Sequence, residues 1–118
     1  AYYRGDIAKT ICAFIQEQGG FLTERDFAEN TAEWVDPIST NYRGYDVWEL
    51  PPNGQGLSVL QMLNILEGYT LQTYAQGSAP SLHLLIESMK RAYADRARYL
   101  ADTDFTPAPI TGMLAPDT

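Results

Sequence analysis

Cysteine occurs once in this chain, at Cys12, and histidine once, at His83. A lone thiol closes no internal disulfide, and without a second histidine there is no zinc cluster to build. A nucleophile paired with a histidine base has only His83 to draw on, and no serine or cysteine stands in an elbow motif beside it. Basic residues are scarce as well, 8 against 15 acidic, and the net charge of -7 excludes the broad phosphate-neutralising surface that a nucleic-acid partner requires. No apolar run approaches the roughly 18 residues of a membrane span, so no membrane partner is expected. The first residues also lack the basic and apolar regions of a secretory leader. The acidic residues are scattered away from calcium-loop spacing. Their densest pair, Asp102 and Asp104, is expected to end a helix, and neither metal nor cofactor is expected.

What is present is one domain's length of ordinary globular composition, 118 residues of which 45% are apolar. The run Ile11-Cys12-Ala13-Phe14-Ile15, with Lys9 its closest base, makes Cys12 a core thiol. Apolar residues at Ile7, Ala8, Ile11, Cys12 and Ile15 predict a helix over 6–18, with Asp6 as N-cap and Gly19-Gly20 as its stop. Thr23 with Asp26 three residues on is a looser capping box for a short helix over 24–29, Leu22 being placed to staple onto Phe27. Between 34 and 50 the texture turns β-branched and aromatic, predicting one strand pair jointed near Thr40-Asn41. Bulky groups on both faces of the second strand place it inside a larger sheet.

Leu57 to Glu67 is apolar round most of its circumference, as in a helix buried on most sides. Ser78 with Pro80 opens a long helix over 79–101, whose stripe of Leu82, Leu85, Ile86, Met89, Tyr93 and Leu100 is expected to face the core. Glu87 with Arg91 and Asp95 with Arg98 are expected as surface pairs. Prolines 107, 109 and 116 are expected to preclude any further regular element, which divides the chain into a body, 1–105, and a Pro-rich tail, 106–118. The fold class is α+β and helix-rich. Ala1 in place of methionine, and the tail, suggest a piece of something longer.

One spot offers ligand chemistry. Asn53-Gly54-Gln55-Gly56 leads into a helix, whose free amides and glycine neighbours suit an anion or a substrate contact, or else a tight strand-to-helix passage. It matches neither a dinucleotide fingerprint nor a P-loop. Arg43 with Tyr45 reads either as a substrate clamp or as a rim residue covering apolar surface. His83 reads as a helical surface histidine. No catalytic residue is assigned.

YRGYDVWELPPNGQG over 42–56, followed by LQMLNILEGY over 60–69, resembles the γ-glutamyltransferase family of N-terminal-nucleophile hydrolases. The resemblance extends to Gly19-Gly20 with Thr23 and Asp26, to Pro51-Pro52, and to Arg91–Leu100 with Asp102–Phe105. It implies the C-terminal part of the large subunit, a fragment of a layered αββα fold. The parent would cleave itself to free a threonine whose amine serves as base while its hydroxyl attacks a γ-glutamyl or related amide. That threonine belongs to a small subunit downstream, and an arginine for the substrate carboxylate lies upstream; Thr118 has no matching context and is not assigned as nucleophile. The loop reads PPNGQG where better-known transferases are serine-rich, which points toward relatives hydrolysing other amides, oxamate-type substrates among them. Secreted and cytosolic members both exist, so the compartment stays open. A free-standing, non-catalytic α+β interaction module is the other class of function. The remainder of the parent, small subunit included, is the implied partner, and the isolated chain is expected to self-associate as a dimer.

Overall fold

The structure, a computed structural model, describes residues 1–115. They form two compact units, Ala1–Trp34 and the residues from Val35 onward.

In the first unit, α1 (Asp6–Glu17) buries Ala8 and Cys12, one turn apart. Asp6 is the first helical residue and not the cap. Gly5, extended at φ -142°, holds that position, because its carbonyl already accepts from Lys9 N–H at 3.2 Å. Gln18 is likewise outside the helix, at the C-cap. Gly19 then turns left-handed at φ +82°, and the Gly20 and Gly19 amides return to the Ile15 and Gln16 carbonyls at 2.8 and 2.9 Å, a Schellman closure. Helix α2 (Glu24–Glu29) carries the full capping box: the Asp26 carboxylate accepts from Thr23 N–H at 2.7 Å, and the Thr23 hydroxyl accepts from Asp26 N–H. Hydrogen bonds from the Thr23 hydroxyl, then from its backbone, hold the Asp26 carboxyl below its ordinary range. Burial pushes the Cys12 thiol up, with Glu24 and Asp26 adding to the effect.

The second unit opens with the antiparallel pair β1 (Ile38–Tyr42) and β2 (Tyr45–Glu49), Ile38 opposite Glu49 and Tyr42 opposite Tyr45. The joint is Arg43-Gly44, not Thr40-Asn41. Both turn residues have positive φ, 54° and 86°, as a two-residue turn matching the strand twist requires. Asn41 serves that turn from the strand end, its Oδ1 accepting from Gly44 N–H at 3.1 Å and its Nδ2 donating to Asp46 at 2.8 Å. Among the described residues the sheet has two strands and no more, contrary to the expected larger sheet. One face packs on a helix, which satisfies Val47, while Trp48 stays 60% exposed on the other. Trp34 and Val35 lie outside the strands and are exposed.

That helix is α3 (Gly56–Glu67), with Leu57, Leu60 and Leu66 buried, between the hairpin and α4 (Ala79–Tyr99). A 3-10 turn, Leu71–Thr73, lies between the two helices in sequence. The expected core stripe of α4 is misplaced. Its buried residues are Ser81, Ser88 and Ala92, whereas Leu82, Leu85, Ile86, Met89 and Tyr93 are exposed. Leucines of α3 already fill the contact, so the facing positions of α4 must be small for the helices to close up. The charge pairs differ too. Glu87 receives Lys90 at 2.8 Å rather than Arg91, and Lys90 holds its carboxyl low. Asp95 turns inward to accept from Gln61 Nε2 at 3.0 Å.

After α4 the Asp102 carboxylate accepts from Asp104 N–H at 3.0 Å, shaping a turn. The proline-bearing tail nevertheless forms one helical turn, α5 (Ile110–Met113). Pro109 occupies its N-cap position, where a missing N–H costs little. Met113 is buried, and Asn64 of α3 grips the tail: its Nδ2 donates to the Leu114 carbonyl at 3.1 Å while its Oδ1 accepts from the Thr40 hydroxyl. No helix among the described residues is long and apolar enough to cross a membrane.

Candidate functional site

Asn53-Gly54-Gln55-Gly56 joins β2 to α3 and is open to solvent at its first three residues. Gln55 sits at the N-cap position of α3 without a capping side-chain bond, and its carbonyl accepts from Ser58 N–H at 3.0 Å. Its Oε1 accepts from the Tyr93 hydroxyl at 3.1 Å, and the Arg96 guanidinium lies 5.6 Å from the Tyr93 ring centre. The loop is thereby tied to α4.

Glu49 reaches the same place from the other side. A methyl group added at Gly56 would meet the Glu49 Cβ at 2.7 Å and its Oε2 at 2.8 Å. The carboxylate thus stands beside the positive end of α3, and the absence of a side chain at Gly56 is what lets β2 pass so close. Glu49 was not singled out by sequence reasoning. The available signal was the glycine itself, since a glycine at a strand-to-helix joint marks close approach of another chain segment.

Arg43, at the hairpin tip, is bound inside its own unit. Its guanidinium donates to Gln72 Oε1 and to the Tyr69 carbonyl at 2.8 Å, its amide donates to Glu67 at 3.1 Å, and it lies 5.0 Å from the Tyr42 ring centre. With Glu67, Gly68, Tyr69, Thr70 and Gln72 it lines an open cleft of about 330 Å³. Tyr45, paired with it in the sequence reading, is exposed. Neither Cys12, buried in the first unit, nor His83, exposed on α4, has a nucleophile or base recorded beside it. Among the described residues no group of three His, Cys, Asp or Glu side chains is placed to hold a metal. Thr118 lies outside the described residues.

A sequence profile described as gamma-glutamyltranspeptidase matches residues 1–118. The glutathione hydrolase-like YwrD proenzyme of Bacillus subtilis is 40% identical over 114 residues, 97% of this chain and 22% of that protein. The glutathione hydrolase proenzyme of Escherichia coli is 42% identical over 109 residues, 92% and 19% respectively. Among solved structures, Helicobacter pylori gamma-glutamyltranspeptidase superposes with a TM-score of 0.79 at 31% identity, over 98% of this chain and 34% of its own. Cephalosporin acylase from Bacillus halodurans gives 0.75 at 41%, over 98% and 21%. The chain spans about a fifth of the length of these curated relatives. Its profile match over every residue, the 40% identities and the shared fold together place it in the gamma-glutamyltranspeptidase family, a family of enzymes.

Proposed function

We propose that these residues are a large-subunit segment of an enzyme that cleaves or transfers a γ-glutamyl or related amide, and that they serve it as scaffold, within a layered αββα fold. The reaction is carried by a threonine outside this chain. Its hydroxyl attacks the amide carbonyl, its own amine takes the proton, the amine product departs, and the acyl group passes to water or to an amino acceptor. The observation that carries this reading is the end-to-end family match of a chain one-fifth as long as its relatives. In keeping with it, loop 53–56 is occupied by the chain's own Glu49, Gln55 and Tyr93. The hairpin tip at Arg43 is similarly engaged within the unit.

A second reading, an acyl amide other than γ-glutamyl, is favoured by the PPNGQG loop together with 41% identity to a cephalosporin acylase. Purified full-length product of the reading frame, offered γ-glutamyl and glutaryl p-nitroanilides, decides between them. Colour release from one or both is expected from the full polypeptide, and none above blank from residues 1–118. An inert full polypeptide, or activity of residues 1–118 lost on mutating one of them, overturns the scaffold reading. Residues 1–118 alone should dimerise through the hairpin edge or nearby helix faces, which sedimentation at micromolar concentration checks; a 13.2 kDa monomer refutes it.

A further inference from the structure

Helix α4 has three faces. At 100° per residue, Ser81, Ser88 and Ala92 point at α3, and His83, Glu87, Lys90, Arg91 and Arg98 form a charged flank. Between these, about 100° from the buried face, run Leu82, Leu85, Ile86, Met89 and Tyr93, each between 37% and 53% exposed. This stripe is about 17 Å long and reaches the few-hundred-Å² size at which an exposed apolar patch marks an interaction surface. It takes no part in the pairing with α3, so it is surplus to the fold of its own unit.

The surroundings of the stripe describe its occupant. Half of the chain's eight basic residues, Lys90, Arg91, Arg96 and Arg98, lie in the C-terminal half of α4, in a chain of net charge -7. A second copy is a poor fit. Parallel pairing of two α4 stripes sets Lys90 and Arg96 against themselves, and antiparallel pairing brings Arg96 and Arg98 beside 76–83, where there is no acid. The curated relatives, by contrast, are about five times longer than this chain, and supply the length from which a covering segment can come.

We propose that the α4 stripe is the seat of an amphipathic helix with acidic flanks, drawn from the part of the parent polypeptide outside these 118 residues. The proposal rests on the large-subunit reading above. It is tested in the full-length polypeptide with the photoreactive residue p-benzoylphenylalanine in place of Ile86, and a control at Arg91 on the charged flank. Illumination should join position 86, and not 91, to a peptide beyond the 118 residues whose sequence is amphipathic and acidic. Crosslinking to residues 1–34, to a second copy, or to nothing overturns the proposal. Should the bulky residue disturb folding, Met89→Cys replaces it. The new thiol should resist a maleimide in the native polypeptide and react at least tenfold faster in urea; equal rates count against a seated helix. Release of p-nitroaniline is read on the same unmodified preparation. Activity without a crosslink removes this proposal alone, and a crosslink without activity removes the functional reading alone.

Discussion

Replacing Gly56 by alanine tests the passage between β2 and α3 most directly. The added methyl would lie 2.7 Å from the Glu49 Cβ and 2.8 Å from its Oε2, against the ~3.5–4.0 Å at which carbon atoms rest in contact. Opening a gap of about 1 Å is an overpacking problem, costing about 1–3 kcal/mol. Alanine's advantage over glycine in a helix, at most about 1 kcal/mol and less in the first turn, offsets part of this. A net loss of about 1–2 kcal/mol is expected. Urea unfolding of the 118-residue chain, followed by Trp48 fluorescence in a Trp34→Phe background, reads it as a lower midpoint. The position of the clash makes a second, sharper demand. Because the nearest atom is a Cβ, Glu49→Ala leaves the penalty of Gly56→Ala in place, whereas Glu49→Gly relieves it. An unchanged midpoint, or a penalty that vanishes in the Glu49→Ala background, would refute the close approach.

Asn64→Leu removes the acceptor of the Thr40 hydroxyl and the donor to the Leu114 carbonyl at once; a loss of about 2 kcal/mol is expected, with faster amide exchange concentrated at 110–115. Asp26 carries a lowered carboxyl pKa in the folded chain, so its contribution to α2 is present above the ordinary value of 3.8 and fades as pH falls through the lower, folded one. Carboxyl NMR should place its midpoint below 3.8 and show Thr23→Val moving it up; an unmoved midpoint rejects the capping bond as the cause.

Features written in consecutive residues were legible before the structure. Thr23 and Asp26 cap each other across three positions, Gly19 ends α1 through its own left-handed backbone, and Pro80 sits in the first turn of α4. Each depends on local geometry alone. The hairpin joint was harder to place because Arg43 adopts a positive φ that residue type does not advertise, and the bonds to Glu67, Tyr69 and Gln72 that accompany it come from 24 to 29 residues away. The α4 stripe shows a deeper limit. Periodicity announces an apolar face without naming its partner, and α3, being leucine-rich, selected the small face instead. Of the loop at 53–56, the approach of a chain segment was legible in its glycines, but that Glu49 and Tyr93 make the approach was not.

The two bonds of Asn64 also differ in the length of chain they close. The link to Thr40 spans 24 residues and the link to Leu114 spans 50. Loop-closure entropy grows with the logarithm of length, about 0.6 kcal/mol for each doubling, so the longer ring is the dearer to form by roughly that amount. Assembly is therefore ordered. The strand can settle on α3 first, meeting one end of the Asn64 amide, and the tail fastens afterwards to the end that remains, so that in reverse it is the tail that lets go first.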